Sequence, residues 1–321
     1  MDPDQPRLQL NARAERLVRE IAGRSRELRI AVRSVAGGGQ VIDAGVEEEG
    51  GLLAGLALAR VALADLAEVS LVPGGIGDLP LPLVQVHTDH PVAACMAAQY
   101  AGWSISVGKF FAMGSGPMRA AYGGETLFDA IGRREEPTRV VGVLESRKIP
   151  GPEVFRFVAE KVRVRPDGVT LLVAPTASLA GNVQVVARSV ETALHKLHVL
   201  EFDLERVVAG HGTAPLPPPA RDDLGAIGRT NDCVLYGGRV TLWVRGDDES
   251  LVAAGAKTPS SASPDHGAPF AEIFERYGRD FYKIDPGLFS PAEVHFLNVS
   301  TGRAHRFGKL EPDVLRRSLF S

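Results

Sequence analysis

The sequence predicts an α/β fold of mixed layers, on three observations. Apolar, β-branched runs alternate with amphipathic helical segments through the middle of the chain. Of 321 residues, 45% are apolar, 23% charged and 6% aromatic, an ordinary globular balance with length enough for about two domains. The 35 glycines and 22 prolines exceed common usage without any repeating period, so many turns are specified and fibrous or low-complexity organisation is excluded.

The elements follow in order. Asn11 is placed to cap an opening helix whose apolar residues Ala14, Leu17, Val18 and Ile21 recur at helical spacing. A hairpin is expected over Ile30–Val35 and Val41–Ala44, turned by Gly37-Gly38-Gly39. An Ala/Leu helix runs from Gly51 to Leu66, and Val69–Val72 and Leu83–Val86 are short strands. Pro91 suits the first turn of a helix to Tyr100. Ile105 and Val107 mark a strand, followed by a Gly-rich turn over 112–117 that opens a helix. Val140–Leu144 and Val169–Val173 are buried strands around a helix from Pro152 to Val162, and a single long helix is expected from Gly181 to Leu200. Pro215–Pro219, with four prolines in five residues, is a linker or a rigid surface crossing. Val234–Tyr236 and Val240–Val244 read as a hairpin across Gly237-Gly238. Phe270–Tyr277 is helical, Phe281–Ile284 a strand, Glu293–Val299 and Ala304–Phe307 a pair, and a short helix follows Pro312. The chain is divided at 136/137, with interleaving of the two domains in sequence left open. Residues 1–136 form an α/β domain with the helix–hairpin start and the Gly-rich turn, and residues 137–321 a second α/β domain with the long polar-faced helix.

Thirty-six basic against 39 acidic side chains give a net charge of −3, too balanced for the phosphate attraction of a nucleic-acid binder. Cys95 and Cys233 alone support neither a disulfide framework nor a multi-thiolate metal site, and point to a reducing, cytoplasmic setting. The amino-terminal Met-Asp-Pro-Asp-Gln-Pro has neither part of a signal peptide. The most apolar stretch, Gly51–Leu66, is interrupted by Arg60 and Asp65 and falls short of the ~20 residues of a membrane span.

Chemistry concentrates on the helix from Gln184 to His198. Val186, Val190, Ala193, Leu194 and Leu197 form its apolar stripe, while Gln184, Arg188, Glu191, His195 and His198 share an arc of roughly 80° on the other side. That face is either solvated, with an Arg/Glu pair at i,i+3, or the wall of a cleft in which a carboxylate beside an arginine serves as a base for water. His87, Asp89 and His90 at a strand end offer metal ligands, or the close of a strand and a helix cap. Gly114-Ser115-Gly116-Pro117 is a tight turn opening a helix or a backbone nest for an anion or flat ring, and matches neither nucleotide-loop pattern. Thr176 and Ser178 are turn or N-cap hydroxyls or substrate contacts. Asn231 and Asp232, in Gly228-Arg229-Thr230-Asn231-Asp232 ahead of an apolar strand, are a cap or a hydrogen-bonding wall for a heterocycle. Neither a serine nucleophile elbow nor a Cys/His pair is present.

Several segments, in the same order, resemble the methenyltetrahydromethanopterin cyclohydrolase family. They are Ala101-Gly102-Trp103 with 110–117, Val173-Ala174-Pro175-Thr176, Gln184–Arg188 with Val190-Glu191 and 195–198, 228–232 with Tyr236-Gly237-Gly238, 267–274, and 280–285. The likeness covers residue 10 to the carboxyl terminus and is of the bacterial type. It implies two α/β domains enclosing an active-site cleft, a homo-oligomer, commonly a trimer, and no metal or prosthetic group, the tetrahydromethanopterin derivative being substrate and carrier. The implied reaction is reversible hydrolysis of the 5,10-methenyl pterin, or its dephospho form, to the N5-formyl derivative. Glu191 and Arg188 fall on the family's catalytic positions, Glu191 as general base on water and Arg188 orienting and tuning it. Lys109 stands where some archaeal members have an acidic residue. Ser115, Gly116, Asp89, Thr176, Ser178, Asn231 and Asp232 are the candidate pterin contacts. The competing expectations are a metal-dependent hydrolase built on His87, Asp89 and His90, and a pterin-binding protein without turnover.

Overall fold

The computed structural model describes residues 8–280 and 283–320. In chain order, α1 (Leu10–Gly23) and the short α2 (Ser25–Leu28) precede the hairpin β1 (Ala31–Ser34) and β2 (Gln40–Asp43). Then come α3 (Leu52–Ala62), β3 (Glu68–Val72), β4 (Leu83–Thr88) and a π-helix (Val92–Gln99). β5 (Trp103–Val107), β6 (Phe110–Ser115), α4 (Met118–Tyr122), α5 (Leu127–Ile131), β7 (Val140–Glu145), α6 (Pro152–Val162) and β8 (Val169–Ala174) follow. The remainder is α7 (Leu179–Val186), α8 (Ser189–Val199), β9 (Val207–Pro215), α9 (Asp223–Leu235), β10 (Arg239–Val244), α10 (Asp248–Gly255), α11 (Phe270–Arg276), β11 (Glu293–Asn298), β12 (Ala304–Gly308) and α12 (Pro312–Phe320).

The strands form two six-stranded mixed sheets, sheet A in the order β1-β2-β8-β7-β6-β5 and sheet B in the order β12-β11-β10-β9-β4-β3. Sheet A is covered on both faces, as its near-continuous apolar strands β7 and β8 require. Val41, Val140, Leu144, Leu171 and Val173 pack on Val154, Phe155, Val158 and Val162 of α6, and Ile42, Val141, Val143 and Leu172 pack on α1 and α3. Sheet B turns Val84, Val86, Val240, Leu242, Val294 and Phe296 toward the π-helix and α8. Helices α3, α7, α8 and the π-helix thus lie between the sheets, and α9, α11 and α12 close a separate core around Tyr236, Phe270 and Leu315. No helix among the described residues is long and apolar enough to cross a membrane.

The α/β layering expected from the sequence is the observed one, and α6 has the expected bounds. The position 136/137 falls between β6 and β7, which are neighbours in sheet A through Met113–Glu145 and Ser115–Val143.

Three local expectations are corrected, and one strand is additional to those expected. Asn11 lies inside α1, fully buried, and ties the helix to the rest of the molecule. Its Nδ2 donates to Pro117 O (2.9 Å) and Glu135 Oε2 (2.9 Å), and its Oδ1 accepts from Val141 N (3.1 Å). The helix start is satisfied by Glu135, which accepts from the N–H groups of Leu10 and Asn11. Val234–Tyr236 is not a strand: Asp222 caps α9 through Gly225 N, and the helix runs through Gly228–Asp232 to Leu235. β9, the strand joining β4 to β10, escapes periodicity because Gly210 and Gly212 stand where apolar side chains would mark it. Finally, the expected strand over 281–284 has Phe281 and Tyr282 outside the described residues, and Lys283 and Ile284 form none.

Replacing Asn11 by alanine leaves the buried Val141 N–H and Pro117 carbonyl without this partner. Asn11→Ala is expected to lower stability by about 2–4 kcal/mol, read as a shift in the urea unfolding midpoint at unchanged slope.

Candidate active site

The long polar-faced helix is two helices. In a continuous helix the Ala187 carbonyl would take the Glu191 N–H; here it takes the side-chain amide of Gln99 at 3.0 Å, and the chain breaks between α7 and α8. Arg188 becomes the N-cap residue of α8 and Glu191 lies in its first turn, where the helix dipole favours a carboxylate. Gln99 is the last residue of the π-helix, a wide-turned form concentrated at functional sites. Its backbone carbonyl accepts from Arg188 Nη1 at 3.2 Å, so π-helix and helix break hold one another.

The second terminal nitrogen of Arg188 reaches α7 and sheet A. Nη2 donates to Glu145 Oε1 (2.8 Å), Gln184 Oε1 (3.2 Å) and Ser115 Oγ (3.3 Å). The ion pair of Arg188 is therefore with Glu145 at the carboxyl end of β7, not with Glu191 three residues along. Glu191 is 4% exposed and, among the described residues, has no ion-pair partner. Burial pushes its carboxyl up to about 7; the charges of Arg188 and Arg119 pull it back down, and Glu145 raises it. Arg188 tunes Glu191 through space.

A stack of flat groups supports this centre. Tyr100 stacks on His195 with ring centroids 4.8 Å apart, and the Arg119 guanidinium lies over Tyr100 (4.9 Å) and Phe128 (5.4 Å). Arg119, fully buried, grips Glu125 with two nitrogens (2.9 and 2.5 Å) and donates to Met96 O at 2.9 Å near the end of the π-helix. A β-carbon on Gly102 would meet Glu125 Oε2 at 2.0 Å, which explains the glycine before Trp103. Burial holds His195 down at about 4, so this imidazole is neutral near pH 7. Gln99 Oε1, Gln184 Nε2 and Arg188 Nε are buried with no hydrogen-bond partner, leaving donors and an acceptor for an entering polar group.

The structure brings Ser115, Arg188 and Glu191 together and sets the other candidates apart. The Gly116 N–H is taken by Ala98 O (2.8 Å), and its φ of +90° lets the chain turn against β7. Ser178 caps α7 by accepting from Gly181 N, and the Thr176 carbonyl accepts from Asn182, so both shape the entry to the helix carrying Gln184. Asn231 donates back to Ile227 O within α9. Asp232 accepts from Phe270 N (2.8 Å) and Ser318 Oγ (2.5 Å), fastening α11 and α12. His87 on β4 and Asp89 and His90 just beyond its end are exposed, and among the described residues no three His, Cys, Asp or Glu side chains are placed to hold a metal ion. His198 is half-buried in the last turn of α8, where its charge would oppose protonation of His195, and Lys109 is exposed beside Lys148, which donates to its carbonyl. Glu145, Gln99, Tyr100 and Arg119 are the members not singled out from sequence. The one usable signal was Glu145, a carboxylate closing an apolar run at a strand's carboxyl end.

Two layered sheets with a buried, unpaired carboxylate beside a fixed arginine between them define an α/β protein with a candidate acid–base centre. The chain belongs to the methenyltetrahydromethanopterin cyclohydrolase family: the family model described as Cyclohydrolase (MCH) matches residues 9–319. Among similar curated proteins, the methenyltetrahydromethanopterin cyclohydrolase of Rhodopirellula baltica is 52% identical over 88% of this chain and 86% of its own length. That of Methylobacillus flagellatus is 45% identical over 94% and 92%, and that of Methanococcoides burtonii 39% identical over 97% and 98%.

Glu191 holds its proton more tightly folded than unfolded. Its contribution to stability is therefore full below the ordinary carboxylate value of 4.5 and is lost as pH rises through about 7. Glu191→Gln is expected to be more stable than wild type at about pH 8, by on the order of 3 kcal/mol at most, and indistinguishable near pH 4. Thermal unfolding of both proteins across that range checks the sign.

Proposed function

We propose that this chain catalyses the reversible hydrolysis of a 5,10-methenyltetrahydromethanopterin, full-length or dephospho, to its N5-formyl derivative. The single observation that carries the residue assignment is the buried carboxylate of Glu191, unpaired and poised near neutral pH beside Arg188. The names of the relatives support the substrate class.

The methenyl bridge joins two nitrogens as an amidinium cation, so its carbon is electrophilic without further activation. Glu191, ionised, takes a proton from water as the oxygen bonds to that carbon, giving a neutral carbinolamine. Collapse then breaks the bond to N10: the carbinol proton leaves, N10 receives a proton, and the formyl group remains on N5, with one proton released overall. Arg188 Nε and Gln184 Nε2 are the buried donors available to hold the water or the formyl oxygen. The substrate's own charge serves in place of a Lewis acid, so no metal or prosthetic group is proposed. Ser115, beside Arg188, is the pterin contact best supported by its position, followed by Gly116, Thr176 and Ser178 on neighbouring turns. A cytoplasmic homotrimer is proposed from the family resemblance, and light scattering should return three chain masses.

Opening the methenyl bridge breaks conjugation, so ultraviolet absorbance falls when active enzyme meets the methenyl pterin. Wild type is expected to show a rate that rises with pH through about 7 and then levels, as required of a base that must be ionised. Glu191→Gln is expected to lose about 10²–10⁴ in kcat. Wild-type turnover by the purified variant would remove Glu191 from this role.

A further inference from the structure

Arg188 could pair with either of two carboxylates, and it pairs with the one on the opposite sheet. Glu145 Oε1 accepts from Nη2 at 2.8 Å, with Ser115 Oγ and Gln184 Oε1 on the same nitrogen, while Nη1 is held by the Gln99 carbonyl. The guanidinium is fixed on the sheet A side of the site, and both carboxylates lie within its field. Glu145 sits where β7 ends, its backbone in register with Met113 on β6 and Ala174 on β8, so it is presented from an interior strand of sheet A.

We propose that Glu145 is a positioning residue for the reaction: by holding the Arg188 guanidinium against sheet A, it keeps that cation from ion-pairing with Glu191. The inference rests on the reading of Glu191 as the base. An arginine in contact with Glu191 would make it a poor acceptor of a proton from water; one tethered a few ångströms off still orients the water and shields the anion. The other groups that act on Glu191 are Arg119 from α4, Tyr100 after the π-helix and Cys95 within it; His195, on the same helix as Glu191, is stacked on Tyr100. Arg119 is committed to Glu125, and burial keeps the Tyr100 hydroxyl and the Cys95 thiol protonated. Glu145 is thus the anion through which Arg188 is divided between the two sheets.

The test is the pH dependence of kcat for methenyl-ring opening in wild type, Glu145→Gln, Glu145→Asp and Glu191→Gln. Glutamine keeps an oxygen for Arg188 but removes the charge, so Arg188 swings its field onto Glu191. The acid limb is expected to move to lower pH by about half a unit or more, with a plateau several-fold lower because the base is weaker. Aspartate keeps the charge but draws it back from Nη2; it should move the limb less and in the same direction, and it decides the matter if the glutamine variant does not fold. A limb that stays in place in the folded variant while kcat drops equally at every pH marks a merely structural role and overturns the inference. A wild-type profile without an acid limb, together with an active Glu191→Gln, overturns the underlying reading instead.

Discussion

The Arg188 guanidinium is the point at which both sheets are made to agree. It starts the helix packed on sheet B, donates to Glu145 and Ser115 of sheet A, and holds the last carbonyl of the π-helix between them. A planar donor fork suits this better than an ammonium would, because several acceptors in fixed directions are satisfied by one rigid group. Were it displaced, the helix break would lose its anchor, the π-helix would lose the cap on Gln99, and Glu191 would lose the cation that makes its burial tolerable.

That burial is the price of reactivity. A carboxylate at 4% exposure without an ion pair is costly to ionise, and here ionisation is delayed to about neutral pH by loss of water around it. The molecule offsets this with fully committed neighbours. Arg119 is satisfied by Glu125 and the π-helix carbonyls, and His195 and Tyr100 are fixed by stacking. An unpaired carboxylate held among ion-paired and stacked neighbours is what distinguishes this site from an ordinary buried ion-pair network.

Much of the fold was legible in the sequence because its elements carry strong periodic or punctuation signals. Pro152 and the Val/Phe spacing fix α6, and unbroken Val/Leu runs mark β7 and β8. The failures have identifiable causes. Gly210 and Gly212 remove the side chains that would have marked β9, and a β-branched end disguised α9 as a strand. The single long helix was a fair reading of local propensity, since the break is imposed by Gln99 from 88 residues away. The same holds for the site: Arg188 and Glu191 stood out by type and spacing, whereas the partner of Arg188 comes from another sheet, and no helical periodicity could point to it.

The alternation of the chain between the sheets bears on how the protein is made. β1 and β2 wait for β8, whose first partner in register lies 130 residues away at Gln40–Thr170, and the β3–β4 hairpin waits for β9 across a similar span. Sheet A has all its strands once residue 174 has been synthesised, but sheet B is incomplete until residue 308. During translation β4 therefore carries an open hydrogen-bonding edge while more than a hundred residues emerge. Long-range pairing of this kind slows folding and exposes strand edges to other chains. The half-polar sequence of the early hairpin, with Glu68, Ser70, Gln85 and His87 in facing positions, is suited to that interval.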